Sequence, residues 1–316
     1  LSKRHLTHVK NFEINLNNSI IPACMGLTDY PKFSQALQRF THISKIDINS
    51  TNEGIASAMA FSNRVIKVIG KNLTCLNRAL EFNIAASSYN YIDNRAFQYL
   101  SKIYRNQKHM RKVSIKLKTS TLVTQKGTKA INKGLKTLRS LSEVHFSFQN
   151  FEHITDEVIN SMCTALSKIP SIKTIDLHQR QCPRISNDSC KNLGVLPKSL
   201  KNLQTFRFYF ERYELLTDEG LYLLADSLNH FRNISNLEIG IRFNDNNLNE
   251  GILALSGALS KLTQLKSLDL KLTFLEITKM SEPVIQAISK LTLLESLSVD
   301  FSFSSYIGAH VLDEIS

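Results

Sequence analysis

The 316-residue chain has no tryptophan, and its 11 glycines and 6 prolines are too few for a collagen-like or low-complexity protein. No apolar run approaches the roughly 20 residues that a membrane-spanning helix needs. Its five cysteines, Cys24, Cys75, Cys163, Cys182 and Cys190, are odd in number and widely spaced, with no C-x-x-C pair. That argues against a secreted disulfide scaffold and for a reducing compartment, cytoplasmic or nuclear. The opening, Leu1-Ser2-Lys3-Arg4-His5, lacks the apolar core of a signal peptide. It also lacks an initiating Met, so the chain is expected to be part of a longer one.

Catalytic signatures are missing as well. There is no phosphate-binding Walker loop, no dinucleotide-binding glycine pattern, no H-E-x-x-H and no G-x-S-x-G. His178, Cys182 and Cys190 match the spacing of no common zinc module and would supply only three ligands. His145 and His178 fall on neighbouring repeats near Asp176, but no nucleophile accompanies them. The expectation is a protein that is not an enzyme, with no cofactor and no metal.

What is present is a period. A three-residue apolar pattern recurs as Val9-Phe12-Ile14, Ile43-Ile46-Ile48, Met110-Val113-Ile115 and Leu141-Val144-Phe146. It continues as Ile172-Ile175-Leu177, Leu203-Phe206-Phe208, Ile234-Leu237-Ile239, Leu265-Leu268-Leu270 and Leu294-Leu297-Val299. A weaker copy, Leu80-Phe82-Ile84, fills the one gap. With Leu80 as its middle residue, the steps between copies are 34, 34, 33, 31, 31, 31, 31, 31 and 29. Each copy alternates with the period of two of a short strand. Between copies the apolar residues fall at helical spacing, as in Leu221, Leu224, Ala225 and Leu228. Thr155-Asp156-Glu157, Ser186-Asn187-Asp188 and Thr217-Asp218-Glu219 lie 11 residues after their strand positions and read as helix starts. A strand–helix unit of about 31 residues cannot bury its apolar face alone, so such units stack.

The strand pattern and the Thr217-Asp218-Glu219-Gly220 opening resemble the leucine-rich repeat family, over essentially the whole chain. Within it they are most similar to the long, helix-bearing, ribonuclease-inhibitor-like class. The resemblance implies an α/β horseshoe of about ten repeats, with a parallel inner sheet and outer helices, as one domain from 1 to 316. It also implies protein binding. The family usually carries Asn or Cys after the strand; here that site reads Asn17, Thr51, Ala85, Lys118, Gln149, Arg180, Glu211, Arg242, Thr273 and Ser302. Only Asn17 fits, so a buried Asn ladder is mostly absent. Ala309 to Ser316 reads as the start of a further helix, with no distinct capping repeat.

Charge is unevenly placed. The chain carries 39 basic and 27 acidic residues, a net +12. From Asn94 to Ser142 there are thirteen basic residues and no acidic one, leaving 39 − 13 = 26 basic against 27 acidic elsewhere. Lys126, Lys129, Lys133 and Lys136 share one helix face, and Arg95, Lys102 and Arg105 share a face of the helix before. Together they predict a basic convex ridge. Lys116 and Lys118 point onto the inner, concave face instead. The outward strand positions there read Glu13, Asp47, Glu81, Ser114, His145, Asp176, Arg207, Glu238, Asp269 and Ser298. Six of these ten are acidic, so the face is polar and mixed rather than a phosphate groove. Tyr and Arg anchor protein interfaces, which makes Arg207, Tyr209 and Arg242 the candidate contacts on it.

The reading is a non-enzymatic protein-binding scaffold with a polar concave face and a basic convex ridge. The ridge suits an acidic protein surface or RNA, and an electrostatic RNA-binding component of a ribonucleoprotein is the first alternative. The second is a regulatory protein like the GTPase-activating protein of Ran, whose long acidic tail has no counterpart in this chain.

Overall fold

A computed structural model describes residues 9–15, 35, 43–50, 63–73, 79–87, 92–118, 122–211, 216–242, 249–273 and 281–300. The sequence expectations at Asn17, Cys24, Thr51, Cys75, Ser302 and the helix from Ala309 fall outside these residues.

The described chain forms two compact units, Leu1–His153 and Ile154–Ser316. The first holds strands β1 (Asn11–Asn15), β2 (Lys45–Ser50), β3 (Glu81–Ser87), β4 (Lys112–Lys118) and β5 (Glu143–Gln149). Its helices are α1 (Asn63–Leu73), α2 (Asn94–Asn106) and α3 (Gln125–Leu135). The second holds β6 (Thr174–Arg180), β7 (Thr205–Glu211), β8 (Asn236–Arg242), β9 (Ser267–Thr273) and β10 (Ser296–Asp300). Its helices are α4 (Asp156–Leu166), α5 (Asn187–Leu193), α6 (Val195–Ser199), α7 (Asp218–Leu228), α8 (Asn249–Leu259) and α9 (Ser281–Ile288). In each unit the strands pair in parallel and in chain order.

Alternation sorts the side chains. In β5, Val144, Phe146 and Phe148 are buried, while Glu143, His145, Ser147 and Gln149 stay partly exposed. In β7, Phe206, Phe208 and Phe210 are buried in a row, with the Phe208 and Phe210 rings edge to face at 4.1 Å. The helices close over these residues. Phe97, Leu100 and Tyr104 of α2 are buried, as are Ile131 and Leu135 of α3 and Leu221, Leu224 and Leu228 of α7.

The register corrects one repeat. Phe82, not Leu80, pairs with Ile46 on one side and Val113 on the other. Period-two alternation allows either alignment of Leu80-Phe82-Ile84, and the parallel ladder selects the later one. The steps then become 82 − 46 = 36 and 113 − 82 = 31. The outward residue of that repeat is Asn83 rather than Glu81, so five of the ten positions are acidic instead of six.

The expected helix starts hold. Thr155, Ser186 and Thr217 take extended N-cap geometry, and so does Thr124, which the sequence pattern did not single out. Thr155 and Thr217 nevertheless make no hydroxyl cap bond within their own helix. Polar bonds run between repeats instead. Asn94 Oδ1 accepts the N–H groups of Thr124 and Gly127, both at 2.9 Å. Asp156 accepts from Ser186 N–H at 2.9 Å, Ser186 Oγ at 2.8 Å and Ser189 Oγ at 2.5 Å. Asn187 accepts the Thr217 N–H at 3.0 Å, and Asp218 accepts the Gly251 N–H at 2.6 Å. The first residue of one helix therefore holds the first turn of the next, satisfying N–H groups that have no intrahelical partner.

Candidate functional site

Two surfaces carry the candidate residues. One is the face of the sheet away from the helices in the second unit. The register sets His178, Tyr209, Gly240 and Lys271 side by side across β6 to β9. The Tyr209 ring packs against His178 with centroids 4.8 Å apart and planes tilted by 35°, and Lys271 Nζ lies 5.4 Å from the Tyr209 centroid. On the neighbouring strand there is room for that ring only because residue 240 is glycine. A Cβ there would overlap the Tyr209 ring carbons.

Charges around this aromatic centre are paired. Arg207 meets Glu238 at 3.1 Å, and Lys271 meets Glu238 at 3.2 Å and Asp269 at 2.7 Å. His178 and Arg180 both reach Glu211, at 3.3 and 3.1 Å. The His178 hydrogen bond, with help from Arg180 and against partial burial, holds the Glu211 carboxyl below its ordinary range. Burial works against the charge on Lys271, but its bonds to Asp269 and Glu238 win and raise its pKa. Arg242 stands opposite Glu211 in the register and lowers that carboxyl further. Thus Arg207, Tyr209 and Arg242 share one patch, and each is half-buried. Lys116 and Lys118 lie on the equivalent face of β4 in the first unit, Lys116 exposed and Lys118 half-buried.

The second surface is the helix side of the first unit. Lys102 and Arg105 of α2 face Lys126, Lys129 and Lys133 of α3 across a groove of about 590 Å³. Among the described residues its remaining lining is Gln98, Ser101, Gln125 and Ala130, with no carboxylate. All five cations are exposed, and none has a carboxylate partner among the described residues. Two expected ridge residues differ. Arg95 is exposed but tied to Asp93, the N-cap of α2, at 2.8 Å. Lys136 is exposed past the end of α3 and does not line the groove.

Sequence reading missed the part played by four residues. His178 and Lys271 fell in the same outward column as Tyr209, but their mutual contact needed the register. Gly240 occupies that column too, and its lack of a side chain was the available signal. Tyr99 lies beneath two ammonium groups, Lys67 Nζ at 6.0 Å and Lys102 Nζ at 5.8 Å from its centroid.

Cys163, Cys182 and Cys190 are buried free thiols. Burial pushes Cys163 up to about 12, and raises Cys190 as well. Among the described residues no group of three or more His, Cys, Asp or Glu side chains could hold a metal ion. No described helix is long and apolar enough to cross a membrane.

No protein-family model matches the sequence, and no curated protein matches it. Solved structures do. A structural-genomics target from Bacteroides fragilis aligns with TM-score 0.53 and 11% identity, over 87% of this chain and 72% of its own. The leucine-rich repeat-containing protein LegL7 from Legionella pneumophila aligns with TM-score 0.48 and 12% identity, over 98% and 90%. Actin-binding site 2 of leiomodin-1 aligns with TM-score 0.40 and 15% identity, over 51% and 86%. Parallel strands in chain order, linked from β2 onward through helices, are the arrangement of a leucine-rich repeat. The fold is a leucine-rich repeat solenoid. At 11% identity the likeness to the Bacteroides fragilis target carries the fold and nothing about partners.

Proposed function

We propose that this leucine-rich repeat chain is one repeat domain of the ribonuclease-inhibitor-like class, acting inside the cell as a non-enzymatic scaffold for a protein partner. The observation that carries the reading is the patch around Tyr209. It combines a half-buried aromatic anchor, two arginines and a glycine-made recess on a sheet face not covered by helices. Aromatic and Arg residues in such recesses dominate binding energy at protein interfaces. Because its charges are mutually paired, this patch offers hydrogen-bonding detail rather than a net field. That favours a specific protein surface over a generic polyanion. The unbroken step of 31 residues from Phe82 to Leu268 supports the single-domain reading. The basic ridge is a second recognition surface, for anionic groups.

The test immobilises the chain and quantifies bound proteins for three forms: the native chain, Arg207→Ala/Tyr209→Ala and Lys129→Glu/Lys133→Glu. The expected result is a partner retained at high salt by the native chain and the lysine variant, and lost with the Arg207/Tyr209 variant. Retention indifferent to Arg207 and Tyr209 refutes the assignment of this face. Retention of nothing but RNA, abolished by salt, refutes the protein-scaffold reading itself.

A further inference from the structure

We infer that the groove between α2 and α3 binds a compact, multiply phosphorylated small molecule. Its shape comes from helix packing. A Cβ on Gly134 would lie 2.7 Å from the Ser101 Cα and 2.8 Å from its carbonyl oxygen, so the two helices touch backbone to backbone there. At the other end, Asn94 bonds Thr124 and Gly127 and ties the helix starts together. Both walls are thus fixed, and the cations are mounted on helices rather than on loops.

Among the described residues no carboxylate compensates these charges. Neither α2 nor α3 has an acidic residue in its first turn, and Lys126 sits in the first turn of α3. A cation there opposes the helix dipole, and five like charges around one depression repel each other. In the second unit α4, α7, α8 and α9 all start with acidic residues, and Arg180, Lys198, Arg207, Lys266 and Lys271 each have a carboxylate partner. An anion in the groove relieves the repulsion. The hydroxyl of Ser101, a residue on the groove wall, is buried and has no hydrogen-bond partner among the described residues.

Magnitudes select the class of anion. The groove's volume lies in the range of small-molecule sites, which run from about 300 to 1,000 Å³. Lys126 and Lys133 are seven residues apart, so the lysine wall is about 10 Å long at 1.5 Å per residue. A stacked nucleic-acid strand, one charge per 3.4 Å, would bring only about three charges along that wall. Three phosphomonoesters bring about five to six charges in the same space, at roughly 1.5 to 2 each. Five cations converging from two walls match the phosphomonoester cluster, either as a soluble polyol phosphate or as a lipid headgroup.

This inference rests on the basic ridge being a recognition surface and not on the Tyr209 patch, so the two fail separately. Isothermal titration uses inositol hexakisphosphate, with inorganic phosphate, a 20-nucleotide single-stranded RNA and a polyglutamate peptide beside it. Sedimentation with phosphatidylcholine vesicles, with and without phosphatidylinositol bisphosphate, separates the headgroup from the soluble source. The expected result is saturable, one-to-one hexakisphosphate binding. It should weaken at least tenfold in Lys129→Ala/Lys133→Ala and stay unchanged in Lys198→Ala/Lys201→Ala and Arg207→Ala/Tyr209→Ala. Circular dichroism establishes that each variant is folded. No saturable binding, equal losses in the control lysine variant, or tighter binding of RNA or polyglutamate than of hexakisphosphate each overturn the inference.

Discussion

Asp156→Ala tests the bonds that link one repeat to the next. The Asp156 carboxylate accepts three hydrogen bonds from the start of α5, and Ser189, which supplies the shortest, is fully buried. Hydrogen bonds to a charged group contribute about 1.5 to 3 kcal/mol each, but three sharing one partly exposed carboxylate do not add. Ser186 lies near solvent and regains water; Ser189 cannot, and its hydroxyl is left at a cost of about 1 to 3 kcal/mol. The lost charge at the start of α4 removes a further few tenths of a kcal/mol. The expected destabilisation is therefore about 3 kcal/mol. Urea unfolding followed by circular dichroism measures it, and hydrogen exchange locates it in α4 and α5. The double variant Asp156→Ala/Ser189→Ala should recover about 1 kcal/mol, because the orphaned hydroxyl is gone. A loss under about 1 kcal/mol for Asp156→Ala, or no recovery in the double variant, would refute this account of the ladder.

Gln179 interrupts the inward apolar column of Phe210, Ile241 and Leu272, is 1% exposed, and leaves its amide nitrogen without a partner. Gln179→Leu should raise the unfolding midpoint by about 1 kcal/mol equivalent, read by urea denaturation. Gly134→Ala should destabilise by about 1 to 3 kcal/mol, because the new methyl meets Ser101 backbone atoms that cannot move alone; a thermal melt decides it. Glu211, held below its ordinary value of 4.5, stabilises the fold fully above about that pH, and the contribution is lost as pH falls through the folded value. Glu211→Gln should therefore flatten the acid side of the stability curve below about pH 5 in equilibrium unfolding.

The strand ladder was legible because burial leaves a strict periodic trace. Every inward position of β4 to β9 is apolar except Gln179. It failed at β3 because Leu80, Phe82 and Ile84 offer two equivalent alignments, and only pairing with Ile46 and Val113 chooses between them. The helix starts were legible as hydroxyl-plus-acid triplets, but their chemistry was not. Asn94, Asp156, Asn187 and Asp218 resemble ordinary first-turn residues; that they serve the following helix depends on how neighbouring repeats stack. The basic ridge was visible as composition. What composition could not give was that Arg95 is neutralised by Asp93 and that the other cations border a depression. Pairing depends on side chains meeting in space, and a charge count does not record it.

The two surfaces differ in the kind of recognition they support. Around Tyr209, His178, Arg180, Arg207 and Lys271 each have a carboxylate within 4 Å, so the patch exerts little long-range field and discriminates by shape and short bonds. In the α2–α3 groove no carboxylate among the described residues offsets the five cations, so attraction acts at a distance of about a Debye length and weakens with salt. A ligand of the groove should thus lose affinity steeply between low and physiological salt, whereas a protein seated on Tyr209 should not. Measured side by side, the two salt slopes separate the surfaces without knowledge of either natural partner. Equal slopes would mean that one surface, or one binding mode, accounts for both.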